Sequence, residues 1–181
     1  TNEINRMIIG GYILKKSILE EIPIRLCIDS RLDNWIPELS VKDDYKEYVR
    51  VVEFCRSLML NISNHLILEY GQDLKNNQWV LEPFADLAIS FSIIDTTFKR
   101  FYGLDDGVHK NNTENVFRLS LANNFYEMLN NSKIILEYVP NSNLSQKIDK
   151  FLEKLNYNPN RIAYKQKIAA DLYKHKKYYL D

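Results

Sequence analysis

Apolar residues recur every three or four positions along three long segments of this chain, and this spacing is what most constrains its fold. The segments run from about 45 to 70, 78 to 102 and 113 to 138. Their apolar faces are Val51, Cys55, Leu58, Ile62 and His65; Phe84, Leu87, Phe91, Ile94, Phe98 and Phe101; and Val116, Leu119, Leu121, Phe125, Met128, Leu129 and Ile135. This period is typical of amphipathic helices, and no segment alternates as a strand does. We therefore predict an all-α fold built on a helical bundle.

Residues that end or begin helices stand at the borders of these segments. Gly71 is expected to end the first helix as its C′ residue, and Gly103 and Pro140 are expected to end the second and third. Asn77 is expected to cap the second helix. Two shorter helices, at about 144–155 and from Pro159 to about 176, are expected to pack around the bundle.

The composition excludes several classes of protein. Hydrophobic residues make up 45% of the chain, which excludes a disordered tail, and only five glycines and five prolines favour long helices. Lysine plus arginine equal aspartate plus glutamate at 24 each, so charge gives no reason to expect nucleic acid as a partner. No apolar run is long enough to span a membrane. Cys27 and Cys55 lie far apart without a CxxC spacing, which argues against a zinc site and against a disulfide framework. Cysteines that form no disulfide are typical of a reducing compartment.

Two regions precede the bundle. Residues 1–21 have mostly helical spacing, with Gly10 and Gly11 in mid-helix, where glycine indicates that another element packs close to the backbone. Residues 22–44 contain two prolines and no sustained period, so we predict a linker loop with a short helix at its centre. The predicted organisation is thus an N-terminal helix over 1–21, a linker over 22–44 and a helical domain over 45–181.

The string TNEINR at the start of the chain is its most specific motif. It resembles the signature Tyr/Phe-Glu-Gly-Thr-Asn/Ser-Asp/Glu/Gln-Ile-x-Arg of acyl-CoA dehydrogenases, which Thr1, Asn2, Glu3, Ile4 and Arg6 match. The continuation GGYILKKSILEEIP is similar to bacterial relatives of the very-long-chain type. The stretch from 66 to 100 resembles the extra C-terminal domain of those enzymes, in which the matching positions are Gln78, Ala85, Asp86, Ile89 and Arg100. The tail RIAYKQKIAADLYKHKKYYL resembles their closing helix.

The resemblance implies that this chain is the C-terminal helical part of an FAD-dependent enzyme. It would comprise the last helix of the dehydrogenase core plus an appended helical domain. The whole enzyme would oxidise acyl-CoA to trans-2-enoyl-CoA in fatty-acid β-oxidation and pass electrons to a soluble electron-transfer flavoprotein. We expect a bacterial, cytoplasmic homo-oligomer, with a source in an AT-rich genome indicated by abundant asparagine and lysine.

The same resemblance places the cofactor contacts and the catalytic base. Thr1, Asn2 and Glu3 match positions that contact FAD, and a helix N-terminus suits a pyrophosphate. In the alternative interpretation Thr1 only caps the helix and Glu3 only favours its dipole. The catalytic glutamate would precede Thr1 by two residues, so we expect no catalytic residue in this chain and no activity of a fragment. Many shorter-chain members carry an arginine at the position of Gly11. The very-long-chain group lacks this arginine, so Gly11 fits that group.

A function of another class stays open, because the chain could be a helical interaction or assembly module without chemistry. The two residues that precede Thr1 in the full gene would discriminate between the enzyme and the module. The pair Glu-Gly would complete the dehydrogenase signature and favour the enzyme. The chain opens without methionine inside a helix start, and we expect it to be an excised fragment.

Other polar side chains have simpler explanations than catalysis. Asp86, Asp95 and Arg100 lie on or beside an apolar helical face, where we expect interhelical or interface salt bridges. His65 lies on a buried stripe and is expected to be a hydrogen-bonded core histidine. His109 and His175 have no partner at ligand spacing, so we predict no metal site.

Two apolar features allow a second interpretation each. The segment Ile22–Leu39 could make a peripheral membrane contact, as the resemblance suggests, but a linker buried between domains is the preferred prediction. The phenylalanine ladder could line an acyl tunnel, although such stripes are usually bundle core; its members are Phe84, Phe91, Phe98 and Phe101.

Overall fold

A computed structural model of the chain describes residues 2–29, 34–36, 45–104 and 108–175, and within these ranges every regular element is helical. The helices are α1 (Asn2–Ile18), α2 (Ile24–Asp29), α3 (Lys46–Tyr70), α4 (Gln78–Tyr102), α5 (Val108–Tyr138), α6 (Ser142–Leu155) and α7 (Arg161–His175). A 3₁₀ segment, Gly71–Asn76, joins α3 to α4. The predicted all-α fold is confirmed.

The core lies among α3, α4 and α5, with α4 and α5 in the most extensive contact. The predicted apolar stripes meet there, and their largest fully buried side chains include Leu58, Ile62, Phe84, Leu87, Leu121 and Met128. Each such side chain contributes roughly 1.5–3 kcal/mol through burial. Phe84 and Phe101 of the phenylalanine ladder are buried, and Phe91 and Phe98 pack partly buried against the same cluster. The ladder is therefore bundle core, as predicted.

The ends of α3 and α4 confirm two predicted glycine positions and correct one cap. Gly71 follows α3 with φ at +48°, and its N–H donates to the Ile67 carbonyl. Gly103 ends α4, and its N–H donates to the Lys99 carbonyl at 3.0 Å. Asn77 does precede α4, but its side chain makes no capping bond. Its amide nitrogen instead donates to the Asp73 carbonyl at 3.1 Å, because the 3₁₀ segment brings that carbonyl within reach.

Two later helix starts also differ from the prediction. Helix α5 begins at Val108 rather than at 113, since the polar run that follows gave no periodic signal. In its first turn, Lys110 Nζ donates to the Leu104 carbonyl oxygen at 3.1 Å, two residues beyond the end of α4. Helix α7 begins at Arg161, because the Asn160 side-chain oxygen accepts from the Ala163 N–H at 3.0 Å. Pro159 therefore lies just before that cap and not in the helix.

The described part of the linker packs against the bundle. Its short helix, α2, lies near the start of 22–44 and not at the centre, which corrects the prediction. Ile24 and Ile28 are buried. Trp35 is fully buried and stacks on Phe151 with ring centroids 5.4 Å apart. Its carbonyl accepts from the Ser57 hydroxyl at 3.2 Å. The segments 30–33 and 37–44, and with them part of the linker prediction, lie outside the described residues.

Helix α1 packs against α4, and its Leu14 belongs to the same apolar cluster as the bundle. The proposed boundaries at 21 and 44 stay a prediction. Within the described ranges, no helix is both long enough and apolar enough to cross a membrane.

Candidate functional site

The N-terminal end of α1 carries the residues that the motif singles out. Asn2 and Glu3 are exposed in the first turn, and Thr1 lies outside the described residues. The first amide groups of any α-helix lack partners within the helix, and Glu3 lies at the positive end of the helix dipole. This end can therefore offer N–H donors and one carboxylate acceptor to a ligand. Their cofactor role stays a prediction.

Gly10 allows α1 to lie directly on the α4 backbone. A Cβ atom at this position would lie 2.7 Å from the Leu81 carbonyl oxygen and 3.5 Å from the Ala85 Cβ. The close approach predicted from glycine is thus confirmed at Gly10. It is wrong for Gly11, where an added Cβ meets nothing within 4 Å.

An ion pair between α1 and α4 lies beside this contact. The Arg6 Nε donates to Asp86 Oδ1 at 2.7 Å, and its Nη1 lies 3.7 Å from Glu82 Oε1. The hydrogen bond to Asp86 and the charge of that carboxylate raise the pKa of Arg6. Asp86 therefore joins two helices, as predicted. Arg6, which the motif matched without a role, is a positioning residue that orients α1 on the bundle.

The face of α1 that points away from the bundle is apolar. Its large side chains lie at helical spacing and are mostly exposed, and Leu19, in the turn just after α1, continues them: Ile4 (58%), Ile8 (62%), Tyr12 (61%) and Leu19 (57%). The sequence analysis predicted mostly helical spacing in 1–21 but did not distinguish this exposed face from the buried one. The signal available was apolar residues on all sides of the helix.

Asp95 lies in a second interhelical cluster, between α3 and α4. Arg56 donates to Asp95 at 2.9 Å and to Glu53 at 2.5 Å, and Lys99 donates to Asp95 at 2.6 Å. Burial raises the pKa of Asp95, but the hydrogen bonds and charges of Lys99 and Arg56 outweigh it and lower the pKa. The salt-bridge prediction is confirmed for Asp95. Arg100 is exposed and forms no ion pair with any described residue, so the interhelical alternative is wrong for it and the domain-interface alternative stays a prediction.

His65, on α3, is hydrogen-bonded as predicted to groups where α5 ends and α6 begins, but it is half-buried and not a core residue. Its Nε2 lies 2.9 Å from the Val139 carbonyl oxygen, and its Nδ1 lies 3.3 Å from the Asn141 side-chain nitrogen. A neutral ring protonated on Nε2 satisfies both contacts. Asn141 in turn caps α6, accepting from the Leu144 N–H at 3.0 Å. The side chains of His109 and His175 lie outside the described residues. Among the side chains that are described, no three histidine, cysteine or acidic groups gather around one point.

The two thiols differ in environment. Cys27 is exposed on α2, whereas Cys55 is fully buried in α3. Burial raises the pKa of the Cys55 thiol, so it stays protonated and unreactive. Cys55 is therefore a core residue and not a nucleophile.

A groove of about 490 Å³ lies where the end of α1, the start of α2 and the end of α3 meet. Its lining is mostly apolar and includes Ile18, Ile22, Ile24, Leu26 and Ile67. One arginine, Arg25, and one glutamate, Glu20, also line it. Because their charges are opposite, the groove has no net charge that would select a ligand.

Comparison with known proteins finds a solved structure that has a similar fold. No family model and no curated protein sequence matches this chain. Among solved structures, a crystal structure of an acyl-CoA dehydrogenase complexed with FAD from Bacillus anthracis is similar, with a TM-score of 0.78 and 22% sequence identity. The match covers 98% of this chain and 31% of that one, so this chain spans about a third of its neighbour's length. The chain thus shares its fold with a helical third of an acyl-CoA dehydrogenase.

Proposed function

We propose that this chain is the C-terminal helical part of an acyl-CoA dehydrogenase, the whole of which oxidises acyl-CoA to trans-2-enoyl-CoA with FAD. The observation that carries the proposal is the coincidence of two independent features on one helix. The TNEINR motif lies at the start of α1, and α1 belongs to a fold shared with an FAD-binding acyl-CoA dehydrogenase. At 22% identity the structural match supports the fold alone, so the motif supplies the chemistry.

The residues that would hold FAD are Thr1, Asn2 and Glu3. The exposed first turn of α1 fits an anionic pyrophosphate, because its amide groups and the helix dipole both favour negative charge. Glu3 would instead accept from a hydroxyl or amine of the cofactor, since its own charge opposes a phosphate. Bound FAD would supply the hydride acceptor. The chain's part is to bind and orient, because the resemblance puts the catalytic glutamate before Thr1.

Finer features belong to the same proposal. The continuation after TNEINR and the match at Gln78, Ala85 and Asp86 support the very-long-chain type. We further propose a homo-oligomer that passes electrons to an electron-transfer flavoprotein, with acyl-CoA as substrate. We also propose a cytoplasmic place, since two cysteines without a CxxC spacing indicate no disulfide framework. A peripheral membrane contact through 22–39 would use exposed side chains such as Leu26.

An assembly module is the second candidate function. The outward apolar face of α1 favours it, because such a face is more typical of a contact surface than of a solvent-facing helix. In this case the chain would bind other protein surfaces and no flavin.

Flavin absorbance and dye-coupled acyl-CoA oxidation test the choice. The complete gene product that contains this chain is compared with residues 1–181 alone. We expect the complete protein to be yellow and to oxidise long-chain acyl-CoA, and residues 1–181 to be colourless and inert. A complete protein that binds no flavin would contradict the dehydrogenase proposal and favour the module.

A matched pair of variants locates the cofactor contact. In the complete protein, Asn2→Ala combined with Glu3→Ala should weaken FAD binding roughly tenfold or more, since each lost hydrogen bond contributes about 1 kcal/mol. Asn5→Ala, also exposed on α1 but not part of the predicted contact, is the control. Equal FAD affinity in both proteins would sink the assignment of Asn2 and Glu3.

A further inference from the structure

We propose that Asp86, on α4, is a positioning residue for the flavin and acts through Arg6 on the first turn of α1. The Asp86 carboxylate holds that turn in the place where Asn2 and Glu3 contact FAD. This role rests on the proposed function and goes beyond it, because the affinity for FAD then depends on a residue of the bundle that is not among the flavin contacts.

The two ends of α1 are attached to the bundle in different ways. Towards the C-terminal end, Leu14 is fully buried and Gly10 lies against the α4 backbone. Nearer the N-terminal end, the Arg6 Nε donates to Asp86 Oδ1 at 2.7 Å, and its Nη1 lies 3.7 Å from Glu82 Oε1. Loss of this ion pair therefore loosens the N-terminal end and leaves the apolar attachment in place.

The first turn of α1 has no tertiary attachment of its own. The side chains of residues 2–5 are exposed, and none of them forms an ion pair or a hydrogen bond with another described element. Arg6 follows Asn2 and Glu3 by about one helical turn, so its ion pair is what restrains them. A helix end without tertiary contacts frays. The free energy needed to order that end is subtracted from the free energy of binding a ligand.

The charge of Asp86 also decides which carboxylate Arg6 serves. Glu3 and Arg6 are three positions apart on one helix, a spacing at which opposite charges attract each other. The hydrogen bond to Asp86 and the charge of that carboxylate are the main causes that raise the pKa of Arg6, and Glu3 contributes less. Without Asp86, the guanidinium is free to pair with Glu3 and to withdraw it from FAD. Asp86 therefore supports the flavin contact in a second way.

Titration of the apoprotein with FAD, followed by flavin fluorescence, tests this role in the complete gene product. We expect Asp86→Ala to raise the Kd for FAD about fivefold, the upper range for a partly exposed ion pair. Asp86→Glu keeps the carboxylate and should stay within about twofold of the unchanged protein. Asp86→Asn keeps an acceptor but loses the charge, so it should raise the Kd about twofold to threefold. It replaces Asp86→Ala as the test if that variant does not fold.

Asp95→Ala is the matched control. Asp95 lies on the same helix and joins α4 to α3 through Arg56 at 2.9 Å, so its loss also removes an interhelical ion pair, but one without a partner on α1. The Kd for FAD should be unchanged in this variant. Amide hydrogen exchange in the apoprotein adds a measurement that needs no flavin. Exchange over residues 2–9 should be about fivefold faster in Asp86→Ala than in Asp95→Ala, because the first turn opens more often.

The outcomes separate this role from the proposed function. A protein that binds FAD and is unaffected by Asp86→Ala overturns the positioning role and leaves the dehydrogenase proposal standing. An equal loss of affinity in Asp86→Ala and Asp95→Ala also overturns it, since the cause is then general destabilisation. If the unchanged protein binds no FAD, the proposed function fails and the positioning role fails with it.

Discussion

Two outer helices pack on the same bundle in opposite ways. Helix α1 lies on α4 and is attached by apolar contacts, with Leu14 fully buried and Gly10 against the α4 backbone. Helix α7 lies on α5, and none of its described side chains is buried. Its contacts with α5 include half-buried side chains and two cation–π pairs. The Arg161 guanidinium lies 4.7 Å from the Tyr126 ring centroid, and that of Arg118 lies 6.0 Å from the Tyr164 ring.

The faces of α1 and α7 that point away from the bundle also differ in how many large apolar side chains they expose. That of α1, continued by Leu19 in the following turn, exposes four large apolar side chains. That of α7 is flanked by Lys165 and Lys167, and the large apolar side chains that it exposes in its described part are Ile162 and Tyr173. A helix that half-buries one face and carries charged side chains on the other is typical of a protein surface. The two helices therefore differ in what they present to solvent, since α1 exposes a largely apolar face and α7 a mostly polar one.

The same truncation in the two helices should have unequal effects. Leu14→Ala is expected to lower the free energy of unfolding by about 3 kcal/mol, because a fully buried leucine leaves a cavity. Leu172→Ala, at a half-buried position of α7, should cost about 1 kcal/mol. Urea unfolding followed by circular dichroism measures both. Equal losses would show that α7 is anchored as firmly as α1, and would break the comparison.

The adjacent glycines of α1 test how closely that helix lies on α4. Gly10→Ala should destabilise the fold by about 2 kcal/mol, because its methyl group meets a backbone oxygen that cannot move independently. Gly11→Ala should stabilise it by about 1 kcal/mol, since alanine is the better helix former and the space is open. The difference between the two melting temperatures is the measurement. A stabilising Gly10→Ala would mean that α1 is not seated on α4.

The periodicity of the sequence predicted the bundle because α3, α4 and α5 bury one face each. It predicted the interhelical role of Asp86 and Asp95 for a related reason, since a carboxylate beside an apolar stripe needs a cation. It could not predict the exposed face of α1, because apolar spacing does not state which side is covered. It also missed the start of α5, where Lys110 lies over the ring of Tyr45, a residue 65 positions earlier in the chain.

The candidate site depends on a different kind of information. Asn2 and Glu3 are ordinary first-turn residues in physical terms, and only the likeness to a family motif gave them a role. Arg6 matched the same motif, yet its partners Glu82 and Asp86 lie about eighty positions away, so no local pattern could reveal them. Long-range pairing of this kind is what the structure adds.

The turns beside the two outer helices differ in their chemistry. Glu20, after α1, adopts φ of +59°, and its N–H and that of Glu21 donate to the Ser17 and Lys16 carbonyls. Glycine usually occupies this position of a helix end. Glu20→Gly should therefore stabilise the fold by about 0.7 kcal/mol. Asn156, in the turn before α7, has φ of +46°. Asparagine tolerates a positive φ better than glutamate does, so Asn156→Gly should change the free energy of unfolding less than Glu20→Gly. Urea unfolding that ranks the two in the reverse order would contradict this account.

The smallest expected effect concerns the attachment of α7. Arg161→Gln removes the cation beside the Tyr126 ring and should cost about 0.5 kcal/mol, the magnitude of an exposed cation–π contact. Lys165→Gln, which removes an exposed charge from the same helix, is the matched control and should be neutral. Because the loss is local, the rate of proteolytic cleavage within α7 is a more sensitive measurement than global unfolding, and it should rise about twofold for Arg161→Gln alone. Equal cleavage rates would mean that the half-buried apolar residues of α7, and not its cation–π contacts, hold it on α5. The difference between α7 and α1 would then be one of degree, with the outward face of α1 as the remaining distinction between them.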